Sequence, residues 1–334
     1  MKRSVKFIIS YIVLLVVLAG IIQAYSHFSG ALVQTEVLKY QTMEIADNVD
    51  CYFARDEIVH VAPSGGQINY YMNDGTKIRK GSAVLAISNS SKKSSDEERG
   101  KYDDIMKRLL AANTTTNSLT SDINGCVSYY IDGYENYFNP ANLKSLKYDE
   151  VSKLNIKIEN LTRKDCLTGE PLFKTVRDSG WYIIAWVKPE SIGNYEVGNP
   201  VSVDFRGSDI TATVDSIAED GQMWQVILKT NRYYKDFADK RRVHVKIVTQ
   251  EYEGIKIKNS SIVNEGGKAG VYIKNKNGDI LFRPIKINMS DGEYSIVEAG
   301  RFIDENGKEV LTVEVYDDML KEPKKEKEKK EGEK

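Results

Sequence analysis

The chain has 334 residues, with 47 Lys and Arg against 48 Asp and Glu, a formal net charge of −1 and 41% hydrophobic residues. That length allows about two domains, and the apolar content is too high for a disordered chain and too low for a polytopic membrane protein. Lys2, Arg3 and Lys6 place +3 ahead of an apolar run and the tail 321–334 adds +2, leaving about −6 on a body that lacks the basic face nucleic-acid binding needs.

Residues 7–24 read FIISYIVLLVVLAGIIQA, eighteen residues without a charge. At a rise of 1.5 Å per residue they span about 27 Å, enough for a hydrocarbon core of about 30 Å. Phe7, Ile12, Leu15, Val17 and Ile21 are the anchoring side chains of this predicted transmembrane helix. A cleaved signal peptide is the alternative, but the run exceeds the usual h-region of ~7–15 residues. The basic residues before it keep the N-terminus cytoplasmic. The expectation is a single-pass protein of the cell membrane, with an anchor at 1–25 and everything beyond it outside the cytoplasm.

A juxtamembrane segment, 26–56, has room for one or two strands. From 57 to 87 short β runs are broken by glycine, and Asn73-Asp74-Gly75 is a strong hairpin signal because Asp-Gly supplies the φ > 0 positions of a tight turn. Ser95-Asp96-Glu97-Glu98 forms a capping box. Behind it Tyr102, Ile105, Met106, Leu109 and Leu110 fall on one helical face, so a helix is predicted over 96–113. Residues 123–134 return to β patterning.

Asn139-Pro140 opens a helical linker, 140–170, in which Val151, Leu154, Ile158 and Leu161 can share one face. From 171 onward the pattern is β, with strands predicted at 181–187, 201–205, 210–218, 224–230, 243–249, 271–274, 280–287, 294–297 and 310–315. Such spacing argues for barrels or sandwiches. The tail 321–334 has nothing to bury and is expected to be disordered.

Two segments look like halves of one module. The first carries Gly65, Gly66, Asp74, Gly75 and Gly81; the second carries Gly125, Asp132 and Gly133. These are glycine turns between short strands, which suit a flattened sandwich with pseudo-twofold halves. The first half resembles the biotinyl/lipoyl motif. A carrier domain presents a modified lysine at a hairpin tip, whereas Met106-Lys107 lies on the predicted helix, so no cofactor is expected.

A split biotinyl/lipoyl-like unit with a helical insertion, between an N-terminal anchor and a β-domain, resembles the HlyD-type membrane fusion (periplasmic adaptor) family. Gly254-Ile255-Lys256-Ile257-Lys258-Asn259-Ser260-Ser261-Ile262 is similar to its G-[LI]-x-[IV]-P-x-S-A-[IL] segment, with Lys258 where proline is usual. Gly270-Val271-Tyr272-Ile273 and Phe282-Arg283-Pro284-Ile285-Lys286-Ile287 resemble two of its strands. The resemblance implies a mainly β fold: a split module at 57–139 with an insertion at 88–122, a β-barrel at 171–250 and a membrane-proximal β-domain at 251–320. It also implies an adaptor that organises an export complex, with an ABC-type permease as partner and self-association into rings. The insertion is too short for a hairpin that bridges a periplasm, which points to a single-membrane cell. A non-transport scaffold for envelope assembly or cell division is the alternative.

Catalytic chemistry is hard to find. His27, His60 and His244 have no nucleophile or carboxylate pattern beside them, and no P-loop or zinc cluster appears. The expectation is therefore not an enzyme and no bound metal. Cys51, Cys126 and Cys166 are more than 30 residues apart and read as buried small hydrophobes, with one disulfide as the alternative. Tyr129, Tyr130, Tyr134, Tyr137 and Phe138 read as packing between modules. Tyr233, Tyr234, Phe237 and Arg241, beside Lys240 and Arg242, form a candidate partner surface, since Tyr and Arg are enriched in hot spots; packing at a join between modules is the competing role.

Overall fold

Segments that alternate between apolar and polar residues, such as Asp209–Asp220, form strands with one buried face, while runs such as Pro171–Val176 are buried on both. The computed structural model describes residues 34–88, 100–110, 115–234 and 236–321. The predicted anchor (Phe7, Ile12, Leu15, Val17 and Ile21), His27, the capping box at 95–98 and the tail 322–334 lie outside them. Among the described residues no helix is long and apolar enough to cross a membrane. They fall into two units, 45–250 and 34–44 with 251–321.

The first unit contains a barrel and a sandwich. The barrel strands are 45–54 of Tyr40–Ala54, then Trp181–Val187, Pro200–Asp204, Asp209–Asp220, Met223–Thr230 and 242–250 of Arg242–Lys258. Pro200–Asp204 pairs with Asp209–Asp220 on one side and with 246–248 on the other, which closes the sheet on itself and removes its edges. Phe53, Ile183, Ala185, Val201, Val203, Ala212, Val214, Val226, Leu228, Val245 and Ile247 fill the interior. The segment 26–56 is thus more than an approach to the membrane, because its far end is a barrel strand paired with Trp181–Val187 at Ile183↔Phe53 and Ala185↔Cys51.

The sandwich occupies 57–177. One sheet runs Lys77–Ile78, Gly125–Ser128, Pro171–Val176, Glu57–Val61 and Thr115–Thr116; the facing one runs Asp165–Cys166, Gly66–Tyr70 and Leu85–Ser88. Pro171–Val176 therefore belongs to the sandwich, not to the barrel as the boundary at 171 implied. The predicted module at 57–139 is also too short. Its strand Asp165–Cys166 comes from the segment expected to be a helical linker.

That linker is helical only at its start, in a 3-10 turn Pro140–Ser145 capped by Asn139 Oδ1 and a one-turn helix Tyr148–Val151. Beyond it Ile156 and Ile158 alternate with Asn155, Lys157 and Glu159, a period of two, and Glu159–Asn160 pairs with Tyr130–Ile131. Phe138, Leu143, Leu146 and Val151 pack with Tyr52, Ile184, Trp186 and Ile227 on the outer face of the barrel. Gln225 Nε2 donates to the carbonyls of Leu143 and Leu146 and fixes this flap.

The predicted insertion helix forms over Asp103–Leu110. Tyr102, Ile105 and Leu109 bury against Val84, Leu85 and Leu172. The helix therefore lies on the sandwich.

The second unit holds a sheet with strands Thr35–Val37, Asp318–Leu320, Lys268–Lys274, Val263–Glu265 and Ile280–Pro284. Leu38, Ile255, Ile257, Val271, Ile273, Val297, Val313 and Met319 form its core. The predicted strand 280–287 is two strands, Ile280–Pro284 and Ile287–Ser290, while 310–315 pairs only over Glu309–Leu311.

Candidate functional site

The chain enters the sandwich between Ala54 and Glu57 and leaves it between Val176 and Trp181. At these crossings a strand passes from one hydrophobic core into another. The residues that fill the gap are charged. Arg55, Glu57, Asp132, Glu135, Lys174 and Arg241 are all buried there.

Arg241, just before the strand Arg242–Lys258, is the hub. Its Nη2 donates to Glu57 Oε2 at 2.5 Å, its Nε to Asp132 Oδ2 at 2.8 Å and its Nη1 to the carbonyl of Phe53 at 2.9 Å. The guanidinium also lies 5.5 Å from the centre of the Phe138 ring. Arg55 Nη1 donates to the Lys240 carbonyl at 2.8 Å, and its Nη2 is 3.1 Å from Glu57 Oε1. Lys174 Nζ sits 2.9 Å from that same Glu57 oxygen and 3.7 Å from Glu135 Oε1. At the rim, Arg177 Nε donates to Asp56 Oδ2 at 2.7 Å.

Burial disfavours charge on Glu57 and Glu135 alike, and the outcome depends on what faces each. For Glu57 burial raises the pKa, but Arg241, Arg55 and Lys174 overcome it and hold the carboxyl down at about 2. For Glu135 burial and the neighbouring Asp132 win over Lys174 and raise it to about 7. Two glutamates within one cluster are thereby driven apart. A similar contrast exists nearby, where burial, and then the Asp239 carboxyl, raise Asp74 although the Tyr129 N–H donates to it. Ser128 Oγ donates to Asp239 at 2.8 Å.

The predicted turn residues divide into two kinds. Gly75, Gly81 and Gly133 have φ of +71°, +86° and +78°, so they are turns in the expected sense. Gly66 and Gly125 are close approaches instead. A Cβ there would lie 2.3 Å from the Ser88 carbonyl oxygen and 1.9 Å from that of Val176. Gly65 is a milder case, with the Cys166 carbonyl oxygen 3.2 Å from such a Cβ. Asp132 caps its turn through the Tyr134 N–H and is in addition an ion-pair partner of Arg241, whereas Asp74 Oδ1 accepts the N–H of Tyr129 from a distant strand end.

The candidate partner surface does not assemble. Tyr234, Phe237 and Arg241 are buried, the first two in the barrel core and the third in the charge cluster; only Tyr233, 52% exposed, faces solvent. Apolar spacing at 233, 234 and 237 brings the ring of Tyr234 onto Phe205 at 4.3 Å and that of Phe237 onto Trp181 at 5.7 Å. The Arg241 side chain turns inward because three acceptors await it.

His60 is buried, with Nδ1 2.8 Å from the Ser118 carbonyl, Nε2 3.1 Å from Thr175 Oγ1 and its ring stacked on Phe173. Burial lowers its pKa, so it is a neutral core residue. His244 pairs with Asp50 on the barrel exterior. Among the described residues no group of three His, Cys, Asp or Glu is placed to hold a metal.

The sequence signal for the charge cluster was faint. Lys174 stands alone in the apolar run Leu172-Phe173-Lys174-Thr175-Val176, and a lone charge in a run buried on both sides needs a partner.

Residues 57–177 match the RND-related barrel-sandwich hybrid domain, and residues 181–251 match the RND-related β-barrel domain. Among solved structures, ZneB from Cupriavidus metallidurans is 13% identical, covering 88% of this chain and 94% of that one at a TM-score of 0.30. MacA from Actinobacillus actinomycetemcomitans is 12% identical, with 87% and 100% covered at 0.37, and Spr0693 from Streptococcus pneumoniae R6, described as a membrane fusion protein, is 11% identical, with 60% and 98% covered at 0.27. At such TM-scores the likeness carries no argument of its own, and the assignment rests on the two domain matches. No curated protein matches the sequence.

Proposed function

Because the chain belongs to the membrane fusion (adaptor) proteins, through its RND-related hybrid and barrel domains, we propose that it is a membrane-anchored extracytoplasmic adaptor that organises an export complex. The observation that carries this is the unbroken succession of hybrid and barrel, joined through a buried ionic seam. Rigid modules in series transmit position and force without breaking a bond. The uncharged run 7–24, preceded by Lys2, Arg3 and Lys6, supports a single membrane anchor with the N-terminus inside. An ABC-type permease is the transporter class that the HlyD-type resemblance favours, and self-association is expected of such an adaptor.

Crosslinking in living cells, purification through a C-terminal tag and mass spectrometry of the captured proteins test the reading. A permease or transport ATPase in stoichiometric amount supports it. Division or wall-synthesis proteins without any transporter overturn it.

A second reading, an envelope or division scaffold on the same fold, is favoured by one observation. The helix Asp103–Leu110 packs onto its own sandwich through Tyr102, Ile105 and Leu109, so among the described residues no helical hairpin projects from the hybrid domain. Deletion that blocks export of one compound and leaves cell shape normal would remove this second reading.

A further inference from the structure

Glu135 occupies the hybrid–barrel seam in an unusual way. Its Oε1 accepts the Asp132 N–H at 3.0 Å, while its Oε2 is buried without a hydrogen-bond partner. The lysine that could neutralise it, Lys174, stands 3.7 Å away and sits closer, at 2.9 Å, to Glu57. One cation thus lies between two carboxylates and favours one of them.

The charged groups around Glu135 come from every element packed there. Asp132 shares its loop, and Arg108 of the helix Asp103–Leu110 reaches the Asp132 carbonyl at 3.2 Å. Arg55 and Glu57 flank the entry to the sandwich, Lys174 lies on Pro171–Val176, and Arg241 precedes Arg242–Lys258. Within the buried set Arg55, Lys174 and Arg241 are cationic and Glu57 and Asp132 anionic, so the state of Glu135 decides between one excess positive charge and none.

We propose that Glu135 is a proton-binding site that sets the strength of the joint between the hybrid and barrel domains: neutral, it leaves Lys174 on Glu57, and ionised, it draws Lys174 toward itself and loosens the joint. The proton passes to bulk water, and no bond other than its own O–H is broken.

The direction follows from linkage. Burial and Asp132 hold the folded Glu135 pKa at about 7, above the ordinary glutamate value of 4.5. The folded chain therefore binds more protons than the unfolded chain between those values, and the stability this confers is lost as pH rises through the folded pKa. Glu57, held down at about 2, stays ionised throughout. The joint is firm in mild acid and weakens across neutrality, whichever partner the chain engages.

Hydrogen exchange on the full chain in detergent tests the proposal. The reporters are the Arg55 N–H, which donates to the Phe138 carbonyl at 3.1 Å, and the Arg177 N–H, which donates to the Asp56 carbonyl at 3.0 Å. Between about pH 6 and about pH 8, after correction for base-catalysed intrinsic exchange, their protection is expected to fall roughly tenfold. In Glu135→Gln protection should be the same at both pH values. Equal protection in the wild type, or a persisting fall in Glu135→Gln, overturns the proposal. Should the variant not fold, the carbon-13 shift of the Glu135 carboxyl in the wild type decides: a midpoint near neutrality is expected, and a carboxyl that stays ionised or stays neutral across this range overturns it.

Discussion

Glu57 and Arg241 meet at 2.5 Å with neither side chain exposed, although 184 residues separate them in the chain. One starts the sandwich and the other leads into a barrel strand. Removing a single member of a buried ion pair strands the charge of the other, which costs about 3–5 kcal/mol. Arg241→Met leaves both Glu57 and Asp132 without their guanidinium, and urea unfolding should show a loss of that size. The double variant Asp132→Asn/Arg241→Met should recover part of it, since the Asp132 charge left without the guanidinium is then gone while Glu57 keeps Arg55 and Lys174. A single-variant loss below about 1 kcal/mol would mean that the seam is solvated.

Acid should act on the same pair. The Glu57 carboxyl is held at about 2 against an ordinary glutamate value of 4.5. Its folded pKa is depressed, so the stability it confers is complete above the unfolded value and disappears as pH falls through the folded one. The difference corresponds to about 3 kcal/mol. Unfolding free energies measured from neutral pH down to about pH 2 should fall in the wild type and fall less steeply in Glu57→Gln. Parallel curves for the two proteins would contradict the ionic role.

Two glycines read as turns should behave as packing residues. A Cβ at Gly125 would stand 1.9 Å from the Val176 carbonyl oxygen, a backbone atom with no rotamer to yield. Gly125→Ala should cost at least about 1–3 kcal/mol in chemical denaturation, the range for overpacked sites. Gly193, where a Cβ meets nothing within 4 Å and φ is not positive, is the control, and Gly193→Ala should stay within about 0.5 kcal/mol of wild type. Equal effects at the two positions would show that the strand Gly125–Ser128 can move away from Pro171–Val176.

Local chemistry was the legible part of this fold. Asp74-Gly75 marked a turn, with φ > 0 at Gly75, but not the hairpin it suggested, since Gly66–Tyr70 and Lys77–Ile78 lie in different sheets, while Tyr102, Ile105 and Leu109 announced a helix face because their spacing lies within a few turns. The strand Tyr40–Ala54 was hidden as a barrel member, since its partner Trp181–Val187 lies more than 120 residues away. Gly125 was indistinguishable from a turn glycine because the obstructing carbonyl belongs to Val176. Arg241 looked like a surface residue among Lys240 and Arg242, and only the converging acceptors on Phe53, Glu57 and Asp132 turn it inward. What a sequence conceals here is the neighbour that arrives from a distant segment, and the seam consists of such neighbours.

The cysteines extend this argument to reactivity. Cys51 and Cys126 are enclosed in the barrel core with Phe53 and Trp181, and Cys166 lies in the hybrid core; all three are free thiols. A thiol reacts as its thiolate, and burial raises the pKa of each, that of Cys126 to about 12. Alkylation of the native chain at neutral pH, read by mass spectrometry, should therefore leave all three unmodified, whereas denaturant should expose all three. Cys166 should be the first to react under partial denaturation. Its Sγ donates to the backbone carbonyls of Ser64 at 3.8 Å and Gly66 at 3.6 Å, on a three-stranded sheet that has two edges to open. The Cys51 thiol lies on a closed sheet with none. Rapid native labelling of Cys51 would require that barrel to open and would contradict the rigid-module mechanism on which the adaptor reading depends.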